Sequence, residues 1–261
     1  MQHALTTAPI VPTIWRLALP NGLAMTAAAL VSIAETWYVG QLGIMSLAGM
    51  ALVFPLVMLQ QMLSAGSMGG GITSAISRAL GSGNSAKANA LVLHAALIAL
   101  GIGLFFTLLF SLFGPSIFSA LGGKDEALEQ CLLYARVVFA GAICIWLTNS
   151  LAAVIRGSGN MRTPSKCLLF TCLAQVILSA IFGLGLGPIP SFGMAGIAAG
   201  VLISFTGSAL YFLWFLRSKN STLRLSFSSP LSKELFLDIL KVGGISSISS
   251  VLTVATILIV T

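Results

Sequence analysis

Charged side chains are scarce in this chain of 261 residues, of which aspartate, glutamate, lysine and arginine together make up 7%. A soluble globular domain carries about 25% charged residues, so this composition excludes a protein whose whole surface faces water. Hydrophobic residues make up 57% of the chain, and its mean hydropathy is +1.03. We therefore expect most of the surface to face a lipid bilayer.

Cysteine and histidine are also few, with four and two residues. Cys131, Cys144, Cys167 and Cys172 show no Cys-x-x-Cys spacing, which predicts neither a disulfide framework nor a metal site. The chain lacks the G-x-x-x-x-G-K-[ST] phosphate loop, and it lacks the aspartate-rich or paired catalytic motifs of intramembrane enzymes. We expect no enzymatic activity and no cofactor.

Seven long apolar runs fill the chain instead, each close to the roughly 20 residues that a helix needs to cross the hydrocarbon core. Backbone amides in lipid must pair within their own segment, so runs of this length predict helices. The expected fold class is all-α, a polytopic membrane protein. The runs are Ile14–Gly40, Leu47–Ile76, Ala88–Phe113, Cys131–Ile155, Cys167–Leu186, Met194–Leu216 and Ile239–Thr261.

The formal net charge of +7 is explained by where the basic residues lie relative to the membrane. If the N-terminus is cytoplasmic and the runs alternate in direction, only Lys124 and Arg136 fall at the outer face. This positive-inside bias predicts a multi-pass protein of the cell (inner) membrane and removes the need for a nucleic-acid partner. The residues at the inner face are Arg16, Arg78, Lys87, Arg156, Arg162, Lys166, Arg217, Lys219, Arg224, Lys233 and Lys241.

Two similar segments interrupt the apolar runs, "RALGSGNSAKA" from Arg78 and "IRGSGNMRTPSK" from Ile155. The first fits the loose dinucleotide pattern G-x-G-x-x-A, but that pattern has meaning only between a strand and a helix. The second segment does not fit it. Glycine and asparagine after an apolar helix instead favour the left-handed cap that ends the helix. We therefore expect two turns here, with Pro164 opening the next helix.

A longer polar segment precedes the last run. Ser229-Pro230 predicts a short helix lying along the membrane before the final span. "IWRLALPNGLA" from Ile14 and "ILKVGGISSIS" from Ile239 share a weak pattern, which predicts that the last run begins a second copy of the first. The organisation predicted is an N-terminal cytoplasmic segment (1–13), a six-helix transmembrane lobe (14–216), a cytoplasmic linker (217–238) and the first helix of a truncated second lobe (239–261).

The turns and helix ends also carry a resemblance. They resemble, in order, the N-terminal half of the multidrug and toxic compound extrusion (MATE) family. The resemblance implies twelve helices in two six-helix lobes. The chain would then hold one lobe and the opening helix of the other, and the rest of the C-terminal lobe would be a missing partner. It implies exchange of H⁺ or Na⁺ for small amphipathic organic cations. The matching segments are "WRLALP" (Trp15–Pro20), "WYVGQLG" (Trp37–Gly43), "ISRALGSGNSAKA" (Ile76–Ala88), "IRGSGNMRTP" (Ile155–Pro164) and "GMAGIAAG" (Gly193–Gly200).

Glu35 is the only acidic residue inside an apolar run. A charged carboxylate that faces lipid costs about 2.5 kcal/mol or more, so Glu35 should face the interior or a water-filled cavity. Burial disfavours the ionised carboxylate, which would let the group exchange a proton, while nearby oxygens could let it hold Na⁺. A structural hydrogen bond is the alternative. In the MATE resemblance the position before "T-W-Y-V-G" is usually Asp and is implicated in cation coupling.

The same resemblance directs attention to the fifth helix and to Pro20. It places Gln175 and Ser179 at two polar positions that share one helix face. Because Ser179 cannot titrate, Glu35 would act without a second acid in this lobe. Pro20 predicts a kink in the first helix, and the resemblance implies that this helix bends during transport. A passive kink stays an alternative.

Further polar and soft side chains lie within the apolar runs. They favour hydrogen bonds between helices and plain packing, or, taken together, a substrate cavity. A lipid-linked oligosaccharide flippase of similar architecture would need a cationic cavity, whereas arginine and lysine lie at the ends of the runs. An inactive half-transporter is a further alternative. The predicted cavity residues are Gln61, Asn149, Gln175, Ser179, Met58 and Met62, and His94 is predicted to be structural.

Overall fold

Helices form all of the regular secondary structure in the part of the chain that the computed structural model describes, which is residues 10–219, 221–226 and 231–260. Apolar runs without internal turn residues fold as long helices because each backbone amide then bonds within its own segment. The helices are α1 (Ile10–Leu42), α2 (Ile44–Gly81), α3 (Ser85–Ala120), α4 (Asp125–Ala140), α5 (Ala142–Gly157), α6 (Arg162–Leu184), α7 (Gly193–Arg217) and α8 (Lys233–Val260).

Six of these helices are long and apolar enough to cross a membrane, and the bent pair α4–α5 makes a seventh span if the two cross together. Each of the seven apolar runs coincides with one span. The predicted fold class, an all-α polytopic membrane protein, is therefore confirmed. Its division into one lobe, a linker and the start of a second lobe stays a prediction.

The fourth span differs from the single straight helix that its apolar run predicts. The axes of α4 and α5 are bent by 51° at Gly141. Gly141 lies against the side chain of Leu202 in α7, which a Cβ atom at this position would overlap. Beyond the bend, α5 packs against α2, α3 and α7.

The two GSGN segments are turns, as predicted. Gly83 and Gly159 adopt left-handed backbone angles, with φ of 77° and 83°. The side chain of Asn84 accepts a hydrogen bond of 2.9 Å from the backbone N–H of Lys87 and so caps α3. In the second turn, the side chain of Asn160 accepts a hydrogen bond of 3.1 Å from the backbone N–H of Thr163. Glycine ends one helix and asparagine begins the next, which leaves no phosphate loop at either place.

The separate short helix predicted before the last span is not seen among the described residues. Instead of a short separate helix followed by a span, α8 runs without a break from Lys233 to Val260. Its first turns pack on α3, where Phe236 meets the ring of His94. The proposed start at Ser229-Pro230 and the side chain of the predicted hinge Pro20 lie outside the described residues, although position 20 falls within the continuous helix α1.

The lobe has two distinct ends, which are set by the turns. We call the end where α2 meets α3 and α5 meets α6 the basic end, because it carries Arg78, Lys87, Arg156 and Arg162. The opposite end holds the turns between α1 and α2 and between α3 and α4. Helix α8 packs along the second half of α2 and contacts α3 at the basic end.

Candidate cation and substrate site

Glu35 lies inside the lobe and does not face lipid. Its side chain is 8% exposed. It sits seven residues before the end of α1, about 10 Å from the opposite end of the lobe at 1.5 Å per residue. Helix α1 packs on α6, and there the Nε2 of Gln175 donates a hydrogen bond of 2.8 Å to the Oε1 of Glu35.

Other groups around this carboxylate come from three helices. The charge of Glu35 acts electrostatically on Tyr38 of α1, Tyr134 of α4 and Cys172 of α6. Within the described ranges, no lysine or arginine forms an ion pair with Glu35. The site is therefore an acid in contact with a neutral amide, with two phenol groups nearby that can donate or accept a hydrogen bond.

A second polar cluster joins α5 to α2. The Nδ2 of Asn149 donates to the Oε1 of Gln61 at 2.9 Å and to the Oγ of Ser64 at 2.8 Å. All three side chains are within the lobe, with Ser64 fully buried and the two amides half-buried. Both N–H groups of the Asn149 amide are used in these interhelical bonds, and among the described residues the Nε2 of Gln61 has no assigned acceptor.

The backbone around this cluster is irregular. Residues Met62–Met68 of α2 form a π-helical segment, a rare structure that occurs frequently at functional sites. The segment contains Ser64, which the sequence reasoning missed. The only signal was a stretch rich in small residues, "LSAGSMGGG", where a regular apolar helix was expected.

The other predicted cavity residues are placed differently. Met58 and Met62 are half-buried and stand one turn apart on α2, beside Gln61. Ser179 is fully buried, and its hydroxyl donates a hydrogen bond of 3.1 Å to the carbonyl of Ile197 in α7. The structure therefore joins Glu35 with Gln175 and Gln61 with Asn149, whereas Ser179 holds two helices together.

His94 fixes the segment that leads into α8. It is fully buried, and its Nδ1 lies 2.8 Å from the carbonyl of Ala90. Its Nε2 accepts a hydrogen bond of 3.0 Å from the backbone N–H of Ser232, and its ring meets Phe236 edge to face at 4.6 Å. Both nitrogens are engaged as in a neutral imidazole, which agrees with a structural role.

Known proteins match this chain over most of its length. The MatE family model matches residues 20–181. An "FAD transporter" of Shewanella oneidensis is 27% identical over 204 residues, which cover 78% of this chain and 45% of that protein. A "Probable multidrug resistance protein YoeA" of Bacillus subtilis is 25% identical over 215 residues, which cover 81% and 46%.

Solved structures match the fold as well. A transporter of the MOP superfamily from Pyrococcus furiosus is 31% identical and superposes with a TM-score of 0.85, covering 92% of this chain and 52% of its own. An outward-facing multidrug resistance transporter of the same superfamily gives 30% identity and the same TM-score and coverage. The chain thus spans about half the length of the relatives it matches.

Proposed function

Because this chain belongs to the multidrug and toxic compound extrusion (MATE) family of membrane transporters, we propose that it supplies the N-terminal lobe of a secondary active antiporter. In the complete transporter, residues 14–216 form this lobe and residues 239–261 begin a second lobe. Residues 217–238 are the cytoplasmic linker between the two. The complete transporter exchanges H⁺ or Na⁺ for amphipathic organic cations across the cell membrane, with the N-terminus in the cytoplasm.

Glu35 is the observation that carries this proposal. A buried carboxylate that contacts a neutral amide, with no lysine or arginine paired to it among the described residues, is poorly compensated as an anion. Binding H⁺ or Na⁺ neutralises it. An ion gradient can then drive a cycle in which the loaded and unloaded sites open to different sides of the membrane.

The second cluster supports a substrate surface that tolerates varied ligands. Gln61 and Asn149 offer neutral hydrogen-bonding groups, and the thioethers of Met58 and Met62 are flexible and polarizable. We place the organic cation against this surface, where it competes with the coupling ion for the negative potential of Glu35. Gln175 holds Glu35 in the interior.

Dye extrusion from proteoliposomes tests the role of Glu35. The complete transporter is reconstituted, the vesicles are loaded with ethidium, and a proton or sodium gradient is applied. Glu35→Gln should abolish gradient-driven extrusion while the protein still inserts and melts normally. Glu129→Gln removes an exposed carboxylate from α4 and is the matched control. Wild-type extrusion by Glu35→Gln would remove Glu35 from the mechanism.

FAD is the second substrate to test, because one relative carries the name "FAD transporter". FAD contains a pyrophosphate and would need cationic side chains in its cavity, whereas the basic residues of this chain are concentrated at the basic end. We therefore expect ethidium, and not FAD, to move with the gradient. Gradient-driven movement of FAD alone would overturn the substrate class and leave the role of Glu35 standing.

A further inference from the structure

A groove of about 490 Å³ runs between α6 and α7 toward the basic end. Nearer the opposite end the two helices are in close contact, because Gly183, Gly196 and Gly200 let the backbones approach. A Cβ on Gly196, for example, would overlap the carbonyl of Phe182. The groove begins where these glycines end, and its volume lies within the roughly 300–1,000 Å³ typical of ligand sites.

The walls of the groove are apolar. The hydroxyls on its floor bond within the protein: Thr171 and Ser208 contact each other, and Thr171 and Ser204 also donate to carbonyls of their own helices. Their polar capacity is largely used up, so the surface offered to a ligand is mainly hydrocarbon. Phe170, which is 71% exposed, leaves the groove open to the side that faces lipid.

The length of the groove matches one leaflet of a bilayer. Along α6 it extends from Lys166 to Leu178, twelve residues or about 18 Å at 1.5 Å per residue. Half of the roughly 30 Å hydrocarbon core is about 15 Å. A ligand that fills the groove therefore reaches from the headgroup level at the basic end to about the middle of the membrane.

Positive charge lies only at one end of this apolar surface. Lys166 lines the groove, and Arg162 stands one turn earlier on the same helix; both are exposed. Tyr211 closes the other side at the same level, with Trp214 6.0 Å away between ring centroids. An apolar channel with lysine, arginine and interfacial aromatic rings at one end matches a lipid with an anionic headgroup.

We propose that this groove binds an acidic phospholipid of the leaflet at the basic end, with an acyl chain between α6 and α7 and the phosphate at Lys166. The site is separate from the polar clusters around Glu35 and Asn149, and it does not depend on the coupling ion or the substrate. Helix α8, the proposed first helix of the second lobe, contacts α2 and α3 and no more than marginally the helices that form the groove.

Lipid binding to the complete transporter tests the site. Native mass spectrometry in detergent measures adducts with phosphatidylglycerol and with phosphatidylcholine, and a photoactivatable phosphatidylglycerol maps the contact. We expect a preference for phosphatidylglycerol and labelling within Arg162–Leu184 and Gly193–Arg217. Lys166→Glu should lower the affinity for phosphatidylglycerol at least about fivefold and remove the preference, whereas Lys241→Glu, an exposed lysine on α8, should not.

Filling the groove gives a second, steric test. A Cβ atom at Gly207 meets nothing within 4 Å, so Gly207→Leu should fold and place its side chain in the channel. It should abolish the labelling of α6 and α7 by the photoactivatable phosphatidylglycerol. Gly101→Leu on α3 also enters open space and is the matched control. Equal binding of both lipids to the wild type, unchanged binding to Lys166→Glu, or labelling that persists in Gly207→Leu would each overturn the proposal.

Discussion

Gly71 of α2 and Gly243 of α8 lie against each other where the two helices cross. A Cβ atom on Gly71 would stand 2.8 Å from the backbone nitrogen of Gly243 and 2.6 Å from the carbonyl oxygen of Ile239. One turn away along α2, the hydroxyls of Ser67 and Ser250 are 2.8 Å apart. Small residues that bring backbones this close, with hydroxyls bonding across them, are the usual means of joining helices in a membrane.

Replacing Gly71 with leucine should force α2 and α8 apart. Overpacking of this kind costs about 1–3 kcal/mol, and the midpoint of thermal unfolding in detergent should fall accordingly. Gly70→Leu is the matched control, because a Cβ on the neighbouring glycine meets nothing within 4 Å. The same loss of stability in both variants would contradict the close crossing.

The bond between Glu35 and Gln175 should appear as an energetic coupling. In a double-mutant cycle with Glu35→Leu and Gln175→Leu, the free energies of unfolding should deviate from additivity by roughly 0.6–2 kcal/mol, since each single change leaves the other group without its partner. Glu35→Leu combined with Ser179→Ala should be additive, because Ser179 bonds to α7 instead. Strict additivity for the first pair would mean that the bond contributes nothing.

Asn149→Leu should weaken substrate binding more than ion coupling. The change removes both hydrogen bonds that order Gln61 and Ser64, and it adds a branched apolar side chain to the proposed substrate surface. We expect KM for ethidium to rise about tenfold, equivalent to about 1.4 kcal/mol, at an unchanged ratio of ions to dye. Thr107→Val is the control, because it loses the contacts of its hydroxyl with the carbonyls of Phe139 and Ala140 between α3 and α4. A change in the ratio with a normal KM would reverse the assignment.

His94 should hold the linker more firmly than the surface ion pair does. His94→Leu leaves the part-buried N–H of Ser232 without this acceptor, which costs about 1 kcal/mol or more. Lys87 and Asp238 form a bond of 2.6 Å, but their side chains are 41% and 37% exposed, and such pairs contribute about 0–1 kcal/mol. Hydrogen exchange around Ser232–Phe236 should therefore accelerate much more in His94→Leu than in Lys87→Gln. The reverse order would contradict a clamp at His94.

The sequence predicted the spans well because hydrophobicity over about 20 residues is a strong physical signal. The turns at Gly83 and Gly159 were also predictable, since only glycine adopts their left-handed angles at little cost. The bend at Gly141 was not, because a single glycine inside an apolar run does not by itself predict a break between two helices. The uninterrupted start of α8 was also missed, because its partner is His94.

The sequence predicted which residues form the candidate site better than it predicted the hydrogen bonds between them. A lone carboxylate in an apolar run must avoid lipid, which fixed the interior position of Glu35 in advance. Helical spacing along the fifth apolar run, which is α6 in the structure, placed Gln175 and Ser179 on one face. It could not show that only Gln175 would bond to Glu35. Ser64 escaped notice because a serine in a helix usually bonds to its own backbone, and the π-helical segment that carries it has no clear sequence signal.

The neutral partner of Glu35 has an electrical consequence. If its contact were a lysine or arginine, the empty site would carry no net charge, and loading it would make the lobe positive. In the transport cycle proposed above, with Gln175 as the contact, the empty site would be negative and the site loaded with H⁺ or Na⁺ would be neutral. The membrane voltage, worth about 2.3 kcal/mol per elementary charge at 100 mV, would then act on the return of the unloaded transporter and leave the ion-loaded step nearly insensitive to it.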